Sequence, residues 1–182
     1  MTHDGHAAQM ADLSICLPFY RELFQEFKRV LAPDGCLYWF CDWRSYAFYF
    51  QLFDEIKPRN LIVWDKRSGC GSFYTNEHEL IIFATNNNSL RLKSARNIIR
   101  EIPSFSSGAK KTNGEKVPPT QKPVELIEKL ILDSTQPGDT VLDCFMGSGT
   151  TAVAAKNTGR NFYGFEQQYK YAEIANKRLE YE

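Results

Sequence analysis

The sequence lacks several features that would define other classes of protein. Its 182 residues carry 22 Lys and Arg against 22 Asp and Glu, so there is no net charge, and any binding to nucleic acid must come from local patches. No apolar run approaches the ~18 residues of a membrane span, and the first residues do not resemble a signal peptide. We therefore expect a cytoplasmic protein that does not enter a membrane.

Patterns for disulfides and metals are missing as well. The five cysteines are odd in number and include no Cys-x-x-Cys pair, so reduced thiols in the core are the favoured interpretation. His3-Asp4-Gly5-His6 contains metal-ligand residue types, but no further cluster lies near it in the sequence. A polar loop is the better interpretation, and we predict no metal site.

The apolar content of 43% is enough to build one globular domain. Helical spacing alternates with short apolar runs, which predicts an α/β protein: three layers, with a mostly parallel sheet and an antiparallel hairpin at one edge. The predicted helices are 17–31, 45–56, 123–134 and 168–179, and the predicted strands are 36–41, 60–65, 79–85, 140–143 and 161–165.

The segment from Thr140 to Ala152 is the most informative part of the chain. An apolar run ends in Asp143, a turn containing Gly147 and Gly149 follows, and a helix starts after it. Glycines let the backbone approach a ligand closely, and the first turn of a helix presents unpaired N–H groups. This pattern predicts a strand, loop and helix that bind a cofactor.

Two kinds of cofactor are compatible with the pattern of this loop. Gly147, Gly149 and Ala152 fit the G-x-G-x-x-G/A pattern of dinucleotide sites, which would make the protein an NAD-dependent oxidoreductase. However, Asp143 would face the pyrophosphate of a dinucleotide, whereas S-adenosylmethionine has no phosphate and carries an ammonium and a sulfonium. Glu166 lies 19 residues after Gly147, where it can accept bonds from ribose hydroxyls. We therefore favour S-adenosylmethionine; a purely structural turn is the remaining alternative.

These residues resemble a known family. Asp143 to Ala152 with Glu166 resembles motifs I and II of the amino-directed (N6-adenine/N4-cytosine) DNA methyltransferases, and Pro119-Thr120-Gln121-Lys122-Pro123 resembles their motif X. Residues 29–43 resemble the surroundings of their motif V, and residues 61–84 resemble the segment through motifs VI to VIII. The order of these blocks is that of the permuted β group.

The resemblance implies a Rossmann-like, S-adenosylmethionine-dependent methyltransferase fold in one domain, 1–182. In it, 1–85 is the remnant of the catalytic half, 86–118 contacts double-stranded DNA, and 119–182 binds the cofactor. The cofactor-binding residues that it implies are Asp143, Phe145, Gly147, Ser148, Gly149, Thr150, Glu166, Thr120 and Lys122.

The interval from 86 to 117 is basic, with seven Lys and Arg against Glu101 and Glu115, or 7 − 2 = +5. A run of this kind is usually a solvated loop, but in the family this interval recognises the target, and basic side chains there suit phosphate contacts. The residues we expect to contact DNA are Arg91, Lys93, Arg96, Arg100, Lys110 and Lys111.

One family element is missing from this sequence. Motif IV, Asp/Ser/Asn-Pro-Pro-Tyr/Phe, grips the amino group of the flipped base, but the only Pro-Pro pair here is Pro118-Pro119, in the motif X block. No catalytic residue is therefore assigned. The resemblance places the strand before motif IV between the strands at 140–143 and 36–41, so we expect a sheet that is incomplete at a central strand.

Two hypotheses of different class follow from this departure. In the first, the chain is the larger part of a DNA methyltransferase, inactive as it stands, whose first strand and motif IV lie upstream or are supplied by another chain; a homodimer is the other partner considered. In the second, it is a catalytically dead remnant that binds S-adenosylmethionine or DNA. If the chain does transfer methyl groups, Asp42-Trp43 and Asp65 beside Trp64 are the first substitutes for motif IV. The target base, the recognition site and any restriction companion stay open.

Overall fold

The structure is a computed structural model, and it describes residues 15–54, 56–86, 95–104, 111–112, 115–116 and 121–181. The chain divides into two compact units. Unit 1 comprises Met1–Leu90 with Arg96–Arg100, and unit 2 comprises Arg91–Ala95 with Glu101–Glu182. The predicted division of one domain into three parts is not tested by this and stays a prediction.

Unit 1 contains a four-stranded sheet in the order β1-β3-β2-β4. Its elements are α1 (Leu17–Val30), β1 (Cys36–Cys41), α2 (Tyr46–Phe50), β2 (Lys57–Asp65), β3 (His78–Thr85) and β4 (Ile98–Ile99).

The predicted antiparallel hairpin is present as β2 and β3, but these are the two inner strands of this sheet, so its expected place at an edge is wrong. Leu61 lies opposite Ile82, and on the other side of β3 Trp39 of β1 lies opposite the same residue. Strand β3 is antiparallel to β2, with which it forms the hairpin, and also to β1 on its other side. The expectation of a mostly parallel sheet is therefore wrong for this unit, where only β2 and β4 pair in parallel.

Helix α2 is shorter than predicted. The expected helix 45–56 ends at Phe50, and a turn follows. Leu52, Phe53 and Ile56 are instead buried in the core of unit 1 from non-helical backbone. The tertiary burial of these apolar side chains overrides their helical spacing.

The core of unit 1 is built around aromatic rings. Phe24 of α1 contacts Phe27, Trp39 and Phe53 with ring centroids 4.8 to 5.6 Å apart. The tilted and edge-on arrangements are those that aromatic quadrupoles favour. Tyr46, Phe48 and Tyr49 of α2 also pack against this core, whereas Phe50 is exposed.

The described part of unit 2 contains the helices and strands expected for 119–182, and also two short strands before them, β5 (Lys111–Thr112) and β6 (Glu115–Lys116), that were not predicted. The expected elements are α3 (Val124–Ser134), β7 (Thr140–Asp143), α4 (Thr150–Asn157), β8 (Asn161–Gly164) and α5 (Tyr169–Tyr181). Helix α3 buries its apolar stripe against α4, and α4 packs against β8 and α5. The predicted elements in this half are confirmed to within a few residues.

Strands β7 and β8 pair in parallel, with Leu142 beside Tyr163 and Asp143 beside Gly164. Within the described residues, the other edge of β7 has no strand partner. Leu142, Tyr163 and Phe165 are exposed, so one side of this two-stranded sheet presents apolar side chains to solvent.

Three further findings concern the described residues only. None of their helices is long and apolar enough to cross a membrane. No group of three or more His, Cys, Asp and Glu is placed to hold a metal ion. The five cysteines are free thiols; Cys41 is buried, whereas Cys16 and Cys70 are exposed, so the expectation of thiols in the core is wrong for these two.

Candidate cofactor-binding site

The glycine loop after β7 is joined to the chain that follows β8. The Phe165 N–H donates to the Asp143 carbonyl at 2.9 Å, and the Met146 N–H donates to the Phe165 carbonyl at 3.0 Å. The Gly147 N–H then donates to Glu166 Oε2 at 2.9 Å. Strand pairing therefore continues past β8 and places Asp143, the loop and Glu166 together at the carboxyl ends of two parallel strands.

Asp143 orders the start of the loop. Its Oδ1 accepts the Phe145 N–H at 2.9 Å, and its Oδ2 accepts the Thr151 hydroxyl at 2.6 Å. The carboxylate thus ties the end of β7 to the first turn of α4. Thr151 is a residue that the sequence reasoning missed; its position directly after Thr150 in motif I was the available signal.

Glu166 orders the end of the loop. Besides the Gly147 N–H, its carboxylate accepts the Gln168 N–H at 2.7 Å through Oε1. A carboxylate has about four lone-pair directions. Two are therefore used inside the protein, and two stay available to hydroxyl donors of a ligand.

The two loop glycines are required for different reasons. Gly147 has φ +55°, and a Cβ there would approach no atom closer than the Phe145 carbonyl at 4.0 Å. Gly149 has φ +81°, and a Cβ there would lie 2.6 Å from the Ala175 Cβ of α5. Gly147 therefore leaves open space at the surface of the loop, whereas Gly149 allows α5 to pack directly against it.

The predicted cofactor residues separate into exposed and buried groups. Phe145 is 55% exposed and, together with the neighbouring Phe165, offers apolar surface beside the loop. The side chains of Ser148 and Thr150 are buried, so any role of theirs towards a ligand must run through the backbone. Phe165 was not among the residues expected to bind the cofactor.

The motif X segment reaches the loop from the other side within unit 2. The Thr150 hydroxyl donates to the Lys122 carbonyl at 3.4 Å, which brings Lys122 to the start of α4. Thr120 lies outside the described residues. The assignment of the Lys122 side chain to the cofactor stays a prediction.

Cys144 lies beside Asp143 but is not suited to act as a nucleophile. Burial of the thiol, and then the charge of the Asp143 carboxylate, raise its pKa above the ordinary value. The protonated thiol therefore predominates at neutral pH, and reactivity requires the thiolate.

The structure places only part of the predicted DNA contacts. Arg96 and Arg100 are exposed, on either side of β4. Arg91, Lys93, Lys110 and the side chain of Lys111 lie outside the described residues. Their grouping into one basic surface stays a prediction.

The residues considered as substitutes for motif IV do not present that chemistry. The Trp64 side chain is 2% exposed and cannot stack on a base. Trp43 is 60% exposed, but the neighbouring Asp42 carboxylate already accepts the side chain of Arg44 and the hydroxyl and N–H of Ser45. Burial raises the pKa of Asp42, yet these bonds outweigh it and the net pKa is lowered.

The geometry defines a class of site. Two paired parallel strands each end near a carboxylate, and an open glycine loop leads into a helix between them. This is the arrangement by which Rossmann-like folds bind nucleoside cofactors at the carboxyl ends of their strands. Metal chemistry is not among the functions that these residues suggest.

Comparisons with known proteins agree with this class. The model of the DNA methylase family (N6_N4_Mtase) matches residues 5–177. The Type II methyltransferase M1.MboII of Moraxella bovis is 34% identical over 202 residues, covering 88% of this chain and 78% of the relative. M2.DpnII of Streptococcus pneumoniae is 34% identical over 185 residues, covering 90% and 67%.

Two solved structures are similar to this chain in fold. The crystal structure of the M1.HpyAVI–SAM complex has a TM-score of 0.72 at 31% identity, covering 87% of this chain and 81% of that one. The PvuII cytosine-N4-specific DNA methyltransferase has a TM-score of 0.74 at 20% identity, covering 90% and 71%, and supports the fold alone.

The chain belongs to the DNA methylase family. This confirms the predicted family of amino-directed, S-adenosylmethionine-dependent DNA methyltransferases and its Rossmann-like fold class. The NAD-dependent alternative is thereby set aside. The absence of a motif IV segment and the roles of single residues are not decided by these comparisons.

The loop geometry predicts a large effect of Gly149→Ala on stability. An alanine at φ +81° is strained by about 1–2 kcal/mol, and its Cβ would also collide with Ala175. Gly138→Ala is the matched control, because Gly138 has φ +87° but open space around its Cβ position. In thermal unfolding, G149A should lower the Tm clearly more than G138A; equal shifts would contradict the close packing of α5 on the loop.

Proposed function

We propose that the chain is the cofactor-binding and DNA-contacting part of an amino-directed DNA methyltransferase. The single observation that carries this proposal is the glycine loop held between Asp143 and Glu166. S-adenosylmethionine supplies the methyl group in this chemistry. The residues of the chain bind and orient the donor, and a further segment must position the acceptor.

Glu166 is proposed to bind the ribose of the cofactor. Its two remaining acceptor directions match a pair of vicinal hydroxyl donors. The bonds from Gly147 and Gln168 fix the carboxylate before a ligand arrives, so little side-chain entropy is lost on binding. Phe145 and Phe165 offer apolar surface for the adenine ring.

Asp143 is proposed to act at the methionine end of the cofactor. The carboxylate is held by Phe145 and Thr151 at the start of the loop. Its negative charge favours a ligand that carries an ammonium and a sulfonium and disfavours one with a pyrophosphate. The carboxylate that orders the loop therefore also favours a positively charged ligand.

The chain is proposed to need a segment that its 182 residues do not contain. The sequence has no Asp-Pro-Pro-Tyr type of motif, and within the described residues Asp42-Trp43 and Asp65-Trp64 do not replace it. In the part of the chain that the structure describes, the second edge of β7 has no strand partner, and the exposed Leu142 and Tyr163 lie beside it, which suits an added strand. We propose that the strand leading into motif IV occupies this edge, supplied by a longer form of the chain or by a partner chain.

DNA is proposed to lie against the basic segment 86–118. Arg96 and Arg100 are its exposed cations in the described part of the chain. Because the protein carries no net charge, such a local surface is needed to attract a polyanion.

The ribose assignment predicts weaker cofactor binding by Glu166→Gln. The amide keeps an acceptor for the Gly147 N–H but loses the charge, and a hydrogen bond to a charged group contributes about 1.5–3 kcal/mol. Calorimetric titration with S-adenosylmethionine should show a Kd raised roughly tenfold or more. Glu173→Gln, an exposed change on α5, is the control. An unchanged Kd in E166Q would remove Glu166 from the site.

The missing segment predicts that the chain alone does not methylate DNA. Placement of the reacting groups supplies about 7–11 kcal/mol of a barrier, and the residues that place the amino group are absent. With labelled cofactor and mixed-sequence duplex, no label should be transferred above background. Adding a family member's strand with Asp-Pro-Pro-Tyr should restore transfer, and the same segment with Ala-Ala in place of Pro-Pro should not.

Two results of this assay would change the proposal. Transfer by the 182 residues alone would show that other residues hold the amino group. If the added segment binds without restoring transfer, while the chain still binds S-adenosylmethionine, the chain is a catalytically dead remnant.

The DNA assignment predicts a change in the salt dependence of binding. Each lost phosphate contact should reduce the slope of log K against log salt by about 0.9. R96E/R100E should therefore bind duplex DNA more weakly and with a shallower slope than the wild type. K170E/K177E on α5 makes the same change in net charge; an equal effect of both pairs would mean that only net charge matters.

A further inference from the structure

One buried cation lies behind the glycine loop. Arg178 of α5 is 2% exposed, and its Nη1 donates to the Ser148 carbonyl at 3.0 Å and to the Thr150 hydroxyl at 3.3 Å. Burying a guanidinium is costly unless it is hydrogen-bonded. Ser148 and Thr150 both belong to the segment joining the loop to α4.

The bond to Ser148 fixes the orientation of one peptide unit. That unit consists of the Ser148 carbonyl, held by Arg178, and the Gly149 N–H, which donates to the Met146 carbonyl at 3.0 Å. Glycine permits several backbone orientations, and Gly149 has φ +81°. The two bonds, rather than steric limits at Gly149, therefore select the peptide orientation that the loop adopts.

The same side chain is linked to the motif X segment. The Thr150 hydroxyl accepts from Arg178 and donates to the Lys122 carbonyl at 3.4 Å. A hydrogen-bonded chain thus runs from α5 through the start of α4 to the residue before Pro123. Both segments assigned to the cofactor are connected to one buried guanidinium.

We propose that Arg178 is a positioning residue for the cofactor site. It sets the orientation of the 148–149 peptide and holds the Lys122 backbone beside the loop, so that the site is formed before the ligand arrives. The proposal rests on the proposed role of this loop in cofactor binding. Arg178 itself is buried behind the loop and acts through Ser148 and Thr150.

The test uses the full chain with Arg178→Met and Arg178→Lys. Methionine keeps the apolar stem without donors, whereas lysine keeps a charge that can reach one of the two acceptors. Arg160→Met is the matched control, because Arg160 is also largely buried in unit 2 but bonds to Thr135 and the Thr158 carbonyl. All three variants lose buried hydrogen bonds, and all should lower the Tm.

Calorimetric titration with S-adenosylmethionine, well below the Tm, should distinguish the Arg178 variants from R160M by their Kd values. R178M should raise the Kd for S-adenosylmethionine at least tenfold, which is about 1.4 kcal/mol. R178K should lie between R178M and the wild type, and R160M should stay within about twofold of the wild type. An unchanged Kd in R178M, or an equal loss of affinity in R178M and R160M, would overturn the proposal. If R178M does not fold, a wild-type Kd in R178K would overturn it.

Hydrogen exchange tests whether Arg178 orients the loop, independently of whether the chain binds the cofactor. The Gly149 amide should lose protection in R178M and R178K, relative to the Val141 amide of β7, whether or not a ligand is bound. If the wild type does not bind S-adenosylmethionine, the cofactor proposal fails, and the Gly149 exchange rate still decides whether Arg178 orients the loop. Unchanged protection in both variants would show that it does not.

Discussion

The hydrogen bond from the Gly147 N–H to the Glu166 carboxylate is the constraint on which the candidate site depends. It closes the contact between the loop after β7 and the chain after β8, which the bonds of Phe165 to Asp143 and Met146 begin. Without this closure the loop would be an exposed, glycine-rich turn with several accessible backbone orientations. With it, one acidic side chain is placed at the end of each parallel strand.

Both acidic residues combine a structural with a proposed binding role. Asp143 and Glu166 each accept two donors from the protein and retain lone pairs for a ligand. Their replacement by alanine would therefore disturb the loop and the binding contacts at the same time. Amide variants keep one of the two acceptors and therefore disturb the loop less than alanine does.

The two units differ in the candidate site residues that they contain. Unit 2 contains a complete loop, its supporting helices and a buried guanidinium that fixes the loop from behind. Unit 1 has an aromatic core and a sheet, but its exposed Trp43 is adjacent to an Asp42 carboxylate that is already bonded. In the proposed function, binding of a methyl donor and placement of an acceptor are therefore separable, and the described residues of unit 2 are the candidates for the first.

The sequence by itself determined the features that depend on short segments. A strand ending in Asp143, a turn at Gly147 and Gly149, and Glu166 after the next strand could be predicted because each is set by neighbouring residues. The tertiary structure decided what depends on residues distant along the chain. Arg178 meets Ser148 across 30 positions, and Leu52 and Phe53 leave their predicted helix to fill a core. No local pattern contains these contacts, because folding brings their partners together.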